Sequence, residues 1–394
     1  MNYGIFQDAY SNQQLVKGSR SATGVIGTTM NGVMYLSMPF LSTFFEKSRW
    51  TPWRRTAAIA GICLSSLSFL ISSWSTEVWH LILLQGAFAA LGNAVLYTPT
   101  ALALNEWFRD GNRATAYGVQ YSCKNIVGTG GPFMFYGLLQ SLGFRNTLRI
   151  WAGLSLFLGL VGIAMMPQPS TSGAPRIRSV PWTFLKHRTF FIYALANTFF
   201  SSGYGLPQTY LSTYASQLLH LRGVESSLMI AIFNAPGILS CTGFGMLSDR
   251  FGVSATNNTL LSAGGSALCV FLLWGIKSNT IPGLLIAFAI GYGFFASAYS
   301  STWGGWIKEL EAEAADHNEA INSGMVYGLM NGARGVGYVA GGLSGVELLK
   351  VGAIQHSQKL ALGTKYGALI LFTGISSVLG GWSIAFKPCS GKRR

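Results

Sequence analysis

A succession of long apolar runs is the feature that most limits what this chain folds into. Crossing about 30 Å of hydrocarbon takes about 20 residues of helix. A run in lipid must be helical, because a helix satisfies its backbone N–H and C=O groups internally and a lone strand does not. Of the 394 residues, 50% are hydrophobic and 10% are charged, which is too little charge for a water-exposed surface. We therefore predict an all-α polytopic membrane protein in a lipid bilayer, with transmembrane helices in eleven runs at roughly 22–45, 56–74, 79–105, 114–141, 147–166, 189–214, 224–247, 257–276, 281–304, 321–348 and 365–386.

The net charge of +14 is distributed as a membrane topology requires. Cytoplasmic connections of membrane proteins carry an excess of Lys and Arg. Alternate connections, beginning with the segment EKSRWTPWRR, hold sixteen Lys and Arg residues, and the opposite set holds nine. This bias predicts a cytoplasmic C-terminus and an extracellular N-terminus. It leaves little positive charge to indicate a nucleic-acid partner.

Three sequence echoes divide the chain into two similar halves. YGIFQ at residue 3 matches YGLPQ at residue 204, Trp107 matches Trp306, and GVQYSCKN at residue 118 matches GMVYGLMN at residue 324. The offsets are 201, 199 and 206 residues, in one order along the chain. Repeats at one offset indicate duplicated structural units. The predicted units are an N-terminal bundle at 1–167, a Pro- and Ser-rich cytoplasmic linker at 168–187 and a C-terminal bundle at 188–394.

The first echo also predicts an incomplete first helix. In the second half YGLPQ closes a long apolar run, whereas YGIFQ follows only Met1 and Asn2. The expected architecture is therefore eleven transmembrane helices and the stub of a truncated first helix. Two explanations stay open, a misplaced coding start and a genuine truncation that leaves an inactive fragment.

Several motifs resemble those of the major facilitator superfamily. GMLSDRFG at 245–252 is similar to the signature between the second and third helices of a half in that superfamily. YGIFQDAY, LLQGAFAALGNAVLYTP, NEWFRDGNRATAYG, GTGGPF and FFASAYSSTW resemble the fungal branch of its monocarboxylate porter family. The resemblance covers essentially the whole chain. It implies two helix bundles around a central cavity and transport by alternating access.

Two cations lie in the middle of apolar runs and are the main candidates for a substrate site. Lys124 is in the fifth expected helix and Arg334 is in the eleventh, which are equivalent members of the two halves. A charge at membrane depth is costly and usually faces a cavity, which favours a site for an anionic small molecule. The alternative is that each side chain extends to the membrane surface. Asn125, Asn234 and Asn331 either bind substrate or bridge helices.

The resemblance also assigns a gate and exposes a departure. It places Asp249 and Arg250 in the loop that latches the cytoplasmic gate, where an aspartate can cap the next helix. The basic residue that monocarboxylate porters carry in the eighth helix falls here at Cys241. The acidic stretch WIKELEAEAADHNEA at 306–320 is expected to be a solvated surface helix.

The expected function is export of a small organic acid or secondary metabolite across the plasma membrane. Monocarboxylate uptake is the alternative. His and Cys residues are dispersed, and we find no H-E-x-x-H, G-x-S-x-G or Walker motif, so neither an enzyme nor a metal site is predicted. We expect a monomer that needs no cofactor.

Overall fold

The computed structural model describes residue 6 and residues 20–109, 111–166, 182–221, 224–276, 281–354 and 360–386. Long helices make up most of this part of the chain, which contains no strand. They are α1 (Arg20–Glu46), α2 (Arg54–Ser72), α3 (Val78–Trp107), α4 (Arg113–Met165), α5 (Arg188–Leu218), α6 (Val224–Asp249), α7 (Ala255–Leu268), α8 (Pro282–Asp316), α9 (Ser323–Val351) and α10 (Gly367–Gly380).

The predicted all-helical class is confirmed. By length and composition, five helical stretches in the described part are long and apolar enough to cross a membrane: Thr51–Ser72, Val78–Trp107, Arg113–Met165, Leu228–Asp249 and Pro282–Asp316. The number of eleven spans stays a prediction.

Helix α4 holds two of the predicted runs, 114–141 and 147–166. Its backbone breaks at Gly143, where φ is 73° and ψ is 173°. A residue with a side chain rarely adopts this conformation, so glycine permits the chain to reverse there without a loop. The two predicted runs are therefore two helices that meet at this kink with no loop between them.

Two predicted segments fall largely outside the described residues. They are the stub of the first helix, of which Phe6 alone is described, and the linker up to residue 181. The Phe6 ring lies edge-on to Phe135 of α4, with ring centroids 4.9 Å apart.

Five helices define the centre of the described structure. Helix α9 packs on α1 along one face and on α5 along another, and α4 packs on α6. A Cβ atom on Gly341 of α9 would overlap the Ser202 carbonyl of α5, and one on Gly118 of α4 would overlap the Cys241 carbonyl of α6. Small residues at such crossings let backbones approach closely, which is how helices associate in lipid.

Candidate functional site

A cavity of about 750 Å³ lies between α1, α5 and α9, with Lys124 of α4 in its wall. Its lining includes the polar side chains of Thr28, Asn31 and Gln208 together with many apolar atoms. Pockets of about 300–1,000 Å³ accommodate molecules the size of a typical drug. One carboxylate, Glu347, belongs to the lining, and its Oε1 lies 2.7 Å from Nζ of the exposed Lys350. The cavity therefore has room for a molecule much larger than a three-carbon acid.

Lys124 and Arg334 both lie close to one aromatic ring, that of Tyr204. Lys124 Nζ is 5.6 Å and Arg334 Cζ is 5.8 Å from the centroid of Tyr204. Neither cation has a carboxylate within 4.0 Å in the part of the chain that the structure describes. The structure thus brings together the two side chains that the sequence placed at matched depths.

Arg334 is enclosed by aromatic rings. Its side chain is 4% exposed, and neither Nε nor Nη1 has a hydrogen-bond partner. Cζ lies 5.3–5.9 Å from five ring centroids, and a ring face attracts a cation electrostatically at such distances. The rings belong to Tyr35, Tyr121, Tyr204, Trp303 and Tyr338. They offset part of the penalty of burying the cation but leave its Nε and Nη1 groups free to donate.

The three asparagines lie between helices, and none belongs to the lining of the 750 Å³ cavity. Asn125 Nδ2 donates to Cys241 Sγ over 3.2 Å, and Asn331 Nδ2 donates to the Tyr327 carbonyl over 2.9 Å. Asn234 Nδ2 donates to the Ile230 carbonyl over 2.7 Å. The Oδ1 atom of each asparagine has no partner. In this conformation they contact neighbouring turns and helices, and their role as substrate ligands stays a prediction.

A cluster of tyrosines beside Arg334 was not assigned a role from the sequence. The Tyr327 hydroxyl lies 2.7 Å from the Tyr97 hydroxyl and 3.0 Å from the Tyr121 hydroxyl. Tyr117 stacks on Tyr327, with centroids 4.7 Å apart. Tyr121 and Tyr327 are the equivalent tyrosines of the repeated Gly-x-x-Tyr-x-x-x-Asn motif. The repeat was therefore the feature of the sequence that could have indicated this pair. The two copies of the motif meet at their hydroxyl groups.

Charged residues gather at the opposite end of the helices from the cavity, which we call the charged end: Glu46, Arg54, Arg113, Asp249 and Glu311. Arg113 Nη1 donates to Glu311 Oε1 over 2.8 Å, joining α4 to α8. Asn322 Nδ2 donates to Glu46 Oε2 over 3.0 Å, joining the start of α9 to the end of α1. These bonds tie N-terminal helices to C-terminal ones.

Asp249 belongs to the same set of contacts. Its Oδ2 accepts from the backbone N of Thr115 over 2.7 Å and from Thr115 Oγ1 over 3.0 Å, and its Oδ1 pairs with Lys308. We expected Asp249 to cap the following helix, α7, and this was wrong. Ser254 caps α7 instead, by accepting a hydrogen bond from the backbone N of Asn257.

Helix packing explains the difference. Helices α6 and α4 run antiparallel, so the last residue of α6 meets the free N–H groups of the first turn of α4. Arg250, the other predicted gate residue, is exposed, and among the described residues its side chain has no ion pair.

In the acidic stretch after Trp306, the apolar face formed by Ile307, Leu310 and Ala314 is buried, and most of the other residues are exposed or half-buried. Two of its carboxylates contact His187. His187 Nδ1 lies 3.1 Å from Glu313 Oε1, and its Nε2 lies 2.9 Å from Glu319 Oε2.

Two opposing effects act on the His187 imidazole. Burial lowers its pKa, but the hydrogen bonds to Glu319 and Glu313 outweigh that effect and raise the pKa above the ordinary value. This histidine therefore joins the segment before α5 to the end of α8 in a charge-dependent way.

The sequence is similar to those of known proteins. The family model described as Major Facilitator Superfamily matches residues 9–342. A protein of Gibberella moniliformis named "MFS-type transporter" is 29% identical over 352 residues, which make up 86% of this chain and 79% of that protein.

Two further relatives have more specific names. The "Fujikurins efflux protein" of Gibberella fujikuroi is 26% identical over 309 residues, which cover 76% of this chain and 63% of that protein. "Monocarboxylate transporter 10" of Danio rerio is 25% identical over 300 residues, which cover 71% of this chain and 56% of that protein. The names describe efflux in one relative and monocarboxylate transport in the other.

Proposed function

Because this chain belongs to the Major Facilitator Superfamily of multi-pass membrane transporters, we propose that it exports an organic acid or acidic secondary metabolite across the plasma membrane. In this proposal eleven transmembrane helices and the stub form two bundles, 1–167 and 188–394, joined by the linker at 168–187. A monomer moves the substrate by alternating access. The charged end faces the cytoplasm, as the distribution of Lys and Arg predicts.

The observation that carries the proposal is the pair of cations, Lys124 and Arg334, beside Tyr204. A Lys or Arg at the centre of a membrane helix costs about 2.5–3.5 kcal/mol on the insertion scale. No carboxylate of the described residues pairs with either side chain to offset this penalty. A bound anion would accept hydrogen bonds from the free N–H groups of Arg334. We infer that the substrate is an anion.

The cavity supports a substrate larger than lactate. Its volume of about 750 Å³ lies in the range that holds drug-sized ligands. The absence of a basic residue at Cys241, which is buried and donates to the Ser297 carbonyl, fits a substrate held at another position. The efflux protein among the relatives favours export. Monocarboxylate uptake is the second candidate, and the name of the Danio rerio relative is the observation that favours it.

Alternating access requires the charged end to open and close. Asp249 and Glu46 each accept a hydrogen bond from the start of a helix in the opposite bundle. We therefore assign Asp249 a gating role, in which breaking its bonds to Thr115 lets α6 move from α4. Arg250 is assigned to the same gate by the family resemblance alone.

The test is metabolite efflux from cells that express the complete chain. Lys124→Met and Arg334→Gly copy the residue at the matching place in the other half, Met330 and Gly128. Extracellular anions are compared by mass spectrometry for the wild type, this double variant and a charge-conserving control, Lys124→Arg with Arg334→Lys. We expect the double variant to lose release of specific anions and the control to retain part of it. Unchanged release in the double variant would overturn the proposal, and release of no anion by any variant would reject export.

A further inference from the structure

Two tyrosines form the boundary between the cavity and Arg334. Tyr35 of α1 and Tyr338 of α9 both line the cavity, and Arg334 does not. Their rings are parallel within 4°, with centroids 5.5 Å apart. The stack joins one helix from each end of the chain across the bundle interface.

The same two rings cover the guanidinium. Arg334 Cζ lies 5.3 Å from the Tyr35 centroid and 5.5 Å from the Tyr338 centroid. At 4% exposure, Arg334 has almost no contact with the space beyond the pair. Lys124, by contrast, belongs to the cavity wall. An anion in the cavity would therefore meet Lys124 directly and would meet Arg334 only after the rings part.

We propose that Tyr35 and Tyr338 are an aromatic gate that separates the cavity from Arg334 and opens when substrate passes. The inference rests on the proposed role of Arg334 as an anion ligand. Lys124 holds the anion first, the two rings swing apart, and the anion reaches the free Nε and Nη1 atoms of Arg334. The rings then close behind it.

Glycines of α5 and α9 lie directly against the two tyrosines. A Cβ atom on Gly205 of α5 would lie 3.0 Å from Cε1 and 3.1 Å from Cδ1 of Tyr338. A Cβ atom on Gly335 of α9 would lie 3.0 Å from Cβ of Tyr35. Such separations are tighter than ordinary van der Waals contact, so a larger residue at either position would press on the stack. The backbone beside the gate is thus shaped around the two rings.

The gate also bears on the class of substrate. Opening it exchanges a tyrosine–tyrosine stack for contacts with the passing molecule. Aromatic pairs gain from offset or edge-to-face geometry beyond the burial of area. A planar, unsaturated anion can replace the lost ring contact, whereas a saturated anion of equal size cannot. The gate therefore favours aromatic or conjugated organic acids.

Thiol labelling tests the gate without requiring transport. Arg334→Cys is introduced into the full chain in lipid nanodiscs and reacted with an anionic methanethiosulfonate, and the modified peptide is quantified by mass spectrometry. Adding Tyr35→Ala or Tyr338→Ala is expected to raise the labelling rate at position 334 at least about 10-fold. Tyr210→Ala is the matched control, because Tyr210 also lines the cavity but lies outside the stack. Equal rates with and without the gate rings would overturn the proposal.

A second experiment covers alanine variants that fail to fold. Cysteines replacing both Tyr35 and Tyr338 are bridged with a short bis-thiosulfonate reagent, and anion efflux is measured before bridging, after it and after reduction. Loss on bridging with recovery on reduction is expected, and efflux that continues through a verified bridge contradicts the gate.

The two proposals can fail separately. If removing either tyrosine raises labelling at position 334 but efflux is unchanged in Lys124→Met with Arg334→Gly, the gate is supported and the anion site is wrong. If efflux is lost in the double variant but the labelling rate at position 334 is the same with and without the two tyrosines, the anion site is supported and the gate is wrong.

Discussion

At the scale of single residues, the centre of the molecule combines buried cations with buried hydroxyl groups. Arg334 is surrounded by aromatic faces, and three tyrosine hydroxyls next to it share hydrogen bonds across the helices. A buried polar group that loses its partner is destabilising by about 1–3 kcal/mol. The tyrosine cluster is therefore expected to hold α3, α4 and α9 together on the side of Arg334 away from the cavity.

Tyr327→Phe tests this cluster. The change removes the Tyr327 hydroxyl, so the hydroxyls of Tyr97 and Tyr121 each lose a hydrogen-bond partner. We therefore expect the free energy of unfolding to fall by about 1–2 kcal/mol. Thermal unfolding of the purified protein in one detergent measures the effect. Tyr366→Phe is the control, because its hydroxyl makes a single 2.8 Å bond to Gln217 outside the cluster. A loss in Tyr327→Phe no larger than in the control would contradict the cluster's role.

His187 predicts a pH dependence at the charged end. Its pKa in the folded protein is raised above that in the unfolded chain by the bonds to Glu319 and Glu313, against the opposing effect of burial. The stabilisation is therefore fully present below the unfolded pKa and is lost as pH rises through the folded pKa. Histidine titration by NMR should show the raised pKa, and thermal stability should fall with pH across this window. His187→Gln should flatten the decline, and an unchanged decline would exclude His187 as its source.

At the scale of elements, the ends of helices carry the contacts between N-terminal and C-terminal parts of the chain. The start of α4 is capped by Asp249 at the end of α6, and the start of α9 lies against Glu46 at the end of α1. Both pairs are antiparallel, so each joins the positive end of one helix to an acidic residue at the end of another. The same kind of antiparallel contact therefore occurs at the start of a helix in each half of the chain.

Asp249→Ala is expected to loosen the charged end. Loss of a capping side chain costs about 0.5–2 kcal/mol, and here that loss falls on the contact between α6 and α4. The fraction of molecules open at the charged end should rise several-fold, as measured by labelling of Thr115→Cys with a thiol reagent. Ser254→Ala is the matched control, because Ser254 also caps a helix but joins no distant elements. Arg250→Ala tests the second gate residue in the same assay. Equal labelling in Asp249→Ala and Ser254→Ala would refute the gating role.

The approximate positions of these helices could be predicted from the sequence, because the length of each apolar run and the polar residues between runs determine them. Runs 22–45 and 224–247 fall within α1 and α6. The pairing of Lys124 with Arg334 was also accessible, since the repeat set their depths. The stack of Tyr35 on Tyr338 was not, because hydrophobicity in lipid does not fix which face of a helix meets which neighbour. The contact of Asp249 with Thr115 could not be predicted either, because the two residues are 134 positions apart and only the packing of α6 on α4 brings them together.

At the scale of the whole molecule, a cavity lies toward one end of the helices and a network of charged contacts lies at the other. The cavity of about 750 Å³ is bordered by the tyrosine gate, and Arg334 lies beyond it. The charged end is held by the bonds of Arg113, Asp249 and Glu46. A transporter needs access from each side in turn, and this arrangement supplies a barrier on either side of the proposed anion site.

The measurement closest to the central claim compares an acid with its neutral ester. The anion identified in the efflux experiment and its methyl ester are titrated into the purified protein by calorimetry. Hydrogen bonds to charged groups contribute about 1.5–3 kcal/mol, so the acid should bind about 10–100-fold more tightly than the ester. Arg334→Gln should abolish most of that difference while leaving ester binding unchanged. Equal affinity of the wild type for acid and ester would contradict an anion site at Lys124 and Arg334.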